Sequence, residues 1–163
     1  MIEVTLTPIT GRALMRLIDW SLDAAPAANR PSVGDVLRLG DARIAGIEPG
    51  QWLVSCPQGS VVSAAQIFAG TDTAIVDVSG SLTGIRIAGA GWRDLLMIGG
   101  VFDAEDPAFT SGRVARTVMH HAPLLIDVVG DDAAEAWIPA SYAGEVLATW
   151  RKAAARLTAA PPR

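Results

Sequence analysis

The segment AIVDVSGSLTGIRIAGAGWRDLLMIGG, Ala74 to Gly100, sets Asp77 and Ser79 at the end of a strand-like run. A carboxylate there can act as a general base, or it can accept hydrogen bonds from the backbone of the turn at Gly80. Composition and spacing favour the turn. His120-His121 is the other tempting pair. Neighbours on a strand point to opposite faces, and two His in a turn lack the i,i+4 spacing that converges on a metal. No Cys or acidic residue stands at ligand spacing around them, so an ordinary turn or a partner-facing role is expected. Cys56 precedes Pro57. A thiol nucleophile needs a base and an orienting group, and a buried structural Cys is the expectation here. The carboxylates of DAEDPAF, Asp103 to Phe109, lack the glycine at position six and the acid at position twelve of a calcium loop, which leaves solvation of a loop end. The glycines of GSLTG and GAGWRD fit neither a dinucleotide nor a Walker pattern, and there is no Gly-x-Ser-x-Gly elbow. The residues therefore give no catalytic, cofactor-binding or metal-binding assignment on this chain.

The elements that would position these groups read as an α+β domain, a mostly antiparallel sheet with helices on one face. Leu14, Leu17, Ile18 and Leu22 recur at three- and four-residue spacing after a possible cap at Thr10, which predicts a first helix. It ends in DAAPAANRPSVG, Asp23 to Gly34, where two prolines break regular structure. Residues 1–34 are read as an N-terminal arm or helix with a linker, residues 35–158 as the main domain, and residues 159–163 as a disordered tail. Within the domain, Glu48-Pro49-Gly50 turns the chain between ARIAGIE and QWLVSC. Ser60 to Gly70 has the apolar spacing of a short helix. TAIVDVS and GIRIAG follow as strands, and GWRDLLM as a helix stopped by Gly99-Gly100. GRVARTVMH, APLLIDVV and AEAWIP are three further strands, with the His pair at the first turn between them. The last helix is capped by Ser141, has Glu145 in its electropositive first turn and Arg151, Lys152 and Arg156 toward its C-terminal end, and carries the stripe Tyr142, Val146, Leu147, Trp150 and Ala154.

Composition bounds the function classes. A chain of 163 residues, half of them apolar and 18% charged, can bury its own core. A net charge of −4 gives no electrostatic reason to bind nucleic acid. Apolar runs are far shorter than the roughly 20 residues that span a bilayer. The start, MIEVTLTPIT, lacks the basic and apolar regions of a secretory signal, and a single Cys excludes an internal disulfide. A cytoplasmic location is expected.

Five motifs in order resemble the gamma subunit family of heterotetrameric sarcosine oxidase, itself distantly similar to the folate-binding aminomethyltransferase fold of the glycine cleavage T-protein. They are PGQWLVSCP (Pro49–Pro57), IVDVSGSLTGIRIAG (Ile75–Gly89), LLMIGGVFD (Leu95–Asp103), GRVARTVMHHAPLLIDV (Gly112–Val128) and AWIPASYAGEVLATW (Ala136–Trp150). Gly80-Ser81 stands where such subunits often have His-Arg, and Ala140 where Arg is common. The resemblance implies a fold like part of the aminomethyltransferase folate-binding domain, and a non-catalytic subunit kept for assembly in a flavin-dependent oxidase of secondary or N-methylated amines. It implies alpha, beta and delta partner subunits carrying NAD, tetrahydrofolate, FAD, FMN and zinc, with no cofactor on this chain. Asp77 and Ser79 would then cap a strand corner. A permanently buried subunit surface is rich in aromatic and apolar groups, which singles out Trp20, Trp92 and Trp137 near element ends, and Leu14, Leu17 and Leu22 in the arm. The alternative is a stand-alone folate-binding protein of the aminomethyltransferase type, with Asp77 anchoring a pterin. A homo-oligomeric structural protein is a third reading.

Overall fold

The computed structural model describes residues 3–20, 30–60, 72–100 and 102–159. Within them, ten strands form two five-stranded sheets. In the first, the order is β1 (Thr5–Pro8), β7 (Leu82–Ala88), β10 (Ala133–Pro139), β9 (Ala122–Gly130) and β8 (Val114–Met119). In the second, it is β3 (Val36–Leu39), β4 (Ala42–Glu48), β5 (Gln51–Pro57), β2 (Arg12–Asp19) and β6 (Thr73–Asp77). Every strand pair is antiparallel. Helices α1 (Trp92–Met97) and α2 (Ala140–Ala159) pack on the first sheet. The α+β expectation holds, with helices on one face of a mostly antiparallel sheet. The other face of that sheet is covered by the second sheet.

Alternation along the strands explains this layering. Ile85 and Ile87 on β7, Ile126 on β9 and Ile138 on β10 join Trp92 and Trp150 of the two helices in one buried cluster. Each large side chain taken fully out of water contributes about 1.5–3 kcal/mol, so this is the main apolar core. Intervening residues such as Leu125 and Trp137 face the second sheet, where Leu14, Ala45 and Leu53 meet them. The outer face of the second sheet buries Met15, Leu17, Ile44, Trp52, Val54 and Cys56. There the Arg30 guanidinium lies 5.4 Å from the Trp52 ring and pairs with Asp19, while the Trp52 indole donates to the Pro31 carbonyl at 2.9 Å. Gly46 has to be glycine, because a Cβ would run into the Ser32 carbonyl.

The helix expected through Leu14, Leu17 and Ile18 is strand β2. It pairs with β5 on one side and β6 on the other, so the N-terminal arm forms part of the second sheet. A central strand buried on both faces carries apolar residues at every position, which also satisfies helical spacing. Leu22, most of the linker, the expected helix after Ser60 and the tail beyond Ala159 lie outside the described residues. Helix α2 begins at Ala140, so Ser141 lies inside its first turn and Glu145 in the second. Its buried face is Ala143, Val146, Trp150, Ala153 and Ala154, while Tyr142 is exposed. Among the described residues, no helix is long and apolar enough to cross a membrane.

Candidate functional site: the layer between the sheets

A strand that alternates apolar and charged residues is normally half wet. Here the charged positions of several strands face inward, into the space between the sheets. Arg43 on β4 reaches Asp127 on β9 with two bonds, Nε to Oδ2 at 2.6 Å and Nη2 to Oδ1 at 2.5 Å. Its Nη2 also donates to the Val128 carbonyl at 3.3 Å. This fork ties one sheet to the other, and the Asp127 bond holds the Arg43 guanidinium above its ordinary pKa. Arg12 on β2 donates from Nε to Ser55 Oγ and from Nη2 to the Ser55 carbonyl, both at 2.7 Å. Glu135 on β10 lies 3.7 Å from Arg86, its cross-strand partner on β7. One Glu135 oxygen, Oε2, is buried without a hydrogen-bond partner. Burial, and then the charge of Asp127, push the Glu135 carboxyl above the usual range.

Toward the other end the layer opens into a cleft of about 220 Å³. Leu53, Leu82, Leu125 and Trp137 line it. Trp137 lies flat across β7 because its neighbour there is Gly84; a Cβ at that position would come within 2.9 Å of the ring carbons Cε3 and Cη2. Arg16 of β2 and Arg116 of β8 flank the cleft from opposite sheets. Arg116 pairs with Glu48. Arg16 donates to Gln51 Oε1, from Nε at 3.1 Å and also from Nη2.

The residues singled out by sequence fall elsewhere. Asp77 Oδ1 accepts from the Ser79 backbone N–H at 2.9 Å and from Ser79 Oγ at 2.6 Å. The Leu14 N–H in turn donates to Ser79 Oγ at 2.9 Å, fastening the corner to the neighbouring strand β2. The two Ser79 bonds pull the Asp77 carboxyl below the usual range. His120 and His121 form the tight turn between β8 and β9, with His120 at φ 53° and its imidazole packed on Gly99. Cys56 is fully buried, and burial raises its thiol pKa. Asp103 and Asp106 each accept a backbone N–H two residues on. Arg93 holds the same loop through the Ala104 and Phe109 carbonyls. Among the described residues no group of three or more His, Cys, Asp or Glu could hold a metal.

Four of the residues expected at a partner surface are instead interior. Trp92, Trp137, Leu14 and Leu17 are 2%, 4%, 2% and 0% exposed, because each completes a core cluster of its own sheet or of the layer between sheets. Trp20, at 69%, is the exposed one. What sequence reasoning missed was the inward set Arg12, Arg16, Arg43, Asp127 and Glu135. Its signal was present as single charges inside otherwise apolar strand runs, as in ALMRLI and LLIDVV.

Fold and site together define an α+β protein of two stacked antiparallel sheets with a charged layer between them, in which Asp77, Ser79 and the His pair sit in turns and Cys56 in the core. The chain matches the family model for the gamma subunit of sarcosine oxidase over residues 23–156, and it belongs to that family. Its fold is similar to heterotetrameric sarcosine oxidase from Corynebacterium sp. U-96, with a TM-score of 0.82 at 15% identity, covering 98% of this chain and 88% of that one. It is also similar to the glycine cleavage system aminomethyltransferase T from Bartonella henselae, with a TM-score of 0.68 at 12% identity. That match covers 91% of this chain and 45% of the aminomethyltransferase, so the chain spans about half its length. No curated protein matches the chain in sequence.

Proposed function

We propose that this chain is the gamma subunit of a heteromeric, flavin-dependent oxidase of the sarcosine oxidase type, acting on a secondary or N-methylated amine or amino acid. It contributes to assembly and stability and carries no catalytic residue. The observation that supports this reading is the family match over residues 23–156. The fold likeness to a heterotetrameric enzyme agrees with it. The partners are alpha, beta and delta subunits holding NAD, tetrahydrofolate, FAD, FMN and zinc, in the cytoplasm.

Part of the surface suits a partner. Among the described residues strand β6 comes last in its sheet, and Ile75 and Val76, which point to its opposite faces, are 39% and 46% exposed. Trp20 follows directly on β2, the strand that pairs with β6. Exposed β-branched residues on an outer strand suit contact with another chain, and Trp is enriched at binding hot spots.

The test is the native mass and visible spectrum of whatever copurifies with the tagged chain from its source. A large assembly with flavin absorbance is expected. A colourless species of the chain's own mass, 17.0 kDa, overturns the proposal. Trp20→Ala should leave the melting of the isolated chain within about 0.5 kcal/mol of wild type, as exposed sites do, while releasing the chain from the assembly. The stand-alone folate-binding reading draws on the aminomethyltransferase likeness. It is less well supported, because Asp77 Oδ1 already serves Ser79. A tetrahydrofolate titration that saturates on the free chain would favour it.

A further inference from the structure

Of the two inward guanidiniums without a carboxylate partner, Arg12 is bonded to Ser55 away from the cleft, and Arg16 lines it. Arg43 is matched by Asp127, Arg86 by Glu135 and Arg116 by Glu48, all carboxylates. The hydrogen bonds of Arg16 go to Gln51 Oε1, a neutral amide oxygen. The amide fixes the guanidinium plane and leaves its charge uncompensated at the edge of the cleft. A guanidinium has five donors in a planar fork that suits a carboxylate, and Gln51 takes two of them. Beside it, Leu53, Leu82, Leu125 and the indole of Trp137 form a flat apolar wall. At about 220 Å³ the cleft is larger than the roughly 150 Å³ cavity that accepts benzene. An apolar pocket with one placed charged group is the usual form of a small-ligand site.

We propose that this cleft binds a small organic carboxylate with a flat apolar body, its carboxylate on Arg16 and its body against Trp137. Among the described residues that line the cleft none is acidic, and Arg116 is matched by Glu48, so an anion entering the cleft meets net positive charge from Arg16. The site is remote in role from the Asp77–Ser79 corner and does not rest on the assembly reading.

Benzoate is a suitable probe, titrated into the full ¹⁵N-labelled chain while the indole N–H of Trp137 is followed by NMR. Saturable shifts are expected, with benzamide, the neutral isostere, binding at least about tenfold more weakly. Arg16→Gln should reduce benzoate affinity by a similar factor. Because Arg16 lies in a central strand, a second variant guards against misfolding: Glu48→Gln releases Arg116 and should tighten benzoate binding. Either of two results overturns the proposal: no saturation by about 10 mM benzoate, or equal binding of benzamide and benzoate.

Discussion

Arg43→Met removes the guanidinium that fastens the two sheets to each other. Asp127 then loses both bonds of the fork while its side chain is only 5% exposed, and it lies beside a second buried carboxylate, Glu135. Breaking a buried pair from one side costs about 3–5 kcal/mol, because the surviving charge is left in a medium that solvates it poorly. The Arg43 side chain keeps 17% exposure, so water can reach one side of the gap and the lower part of that range, about 3–4 kcal/mol, applies. For a chain of 163 residues each kcal/mol shifts melting by about 2–4 °C, which makes the expected drop about 6–16 °C. The double variant Arg43→Met, Asp127→Leu removes both charges and fills the space with apolar atoms. It should lie within about 1–2 kcal/mol of wild type, since replacing a whole buried pair is often neutral. Urea unfolding of wild type, Arg43→Met, Asp127→Leu and the double variant, read as free energies, gives the coupling directly. A loss under about 1 kcal/mol for the single variant, or a double variant as unstable as the sum of its parts, would refute the role assigned to the fork.

Three other outcomes are expected. Glu135 is raised in the fold by burial and by Asp127, so the stability it contributes is present below its unfolded pKa and is lost as pH rises through its folded one. Glu135→Gln should therefore raise the melting temperature at neutral pH, with the gain shrinking as the pH falls toward 4; a uniform shift across that range would contradict the assignment. Ser79→Ala removes the hydroxyl bond to Asp77, the larger of the two that pull it down, and keeps the backbone N–H, so NMR titration should show its pKa moving part of the way back toward the ordinary carboxylate value, whereas an unchanged value would mean the Ser79 hydroxyl is not the main cause. Gly84→Ala drives a Cβ into the Trp137 ring, which should cost about 1–3 kcal/mol and change the near-ultraviolet circular dichroism; unchanged spectra would show that the ring does not lie across β7.

Strands β9 and β10 were legible because the turn between them is short and β9 is dense in branched residues; both follow the runs APLLIDVV and AEAWIP closely. The turn at Pro49-Gly50 was legible for a local reason, the positive φ of 68° that glycine tolerates. Strand β2 was not, since Arg12 to Asp19 gains its extended form from β5 and β6, which lie far away in sequence. The aromatic residues misled for a related reason. Trp92 and Trp137 do stand near element ends, but both ends point into the core, and position along an element carries no information on depth.

The inward charges show why neither periodicity nor motif could find the site. Each sits alone within an apolar run, and its meaning depends on what the opposite sheet presents. Arg43 meets Asp127 across the layer, so its charge is spent on joining the sheets. Arg16 has the same residue type, on the same inner face of the second sheet, and meets an amide from its own sheet. One guanidinium therefore serves stability and the other is available to a ligand, a difference created by pairing and not by residue type. If benzoate binds through Arg16 while Arg43→Met destabilises the fold, both consequences of that single layer will have been read separately.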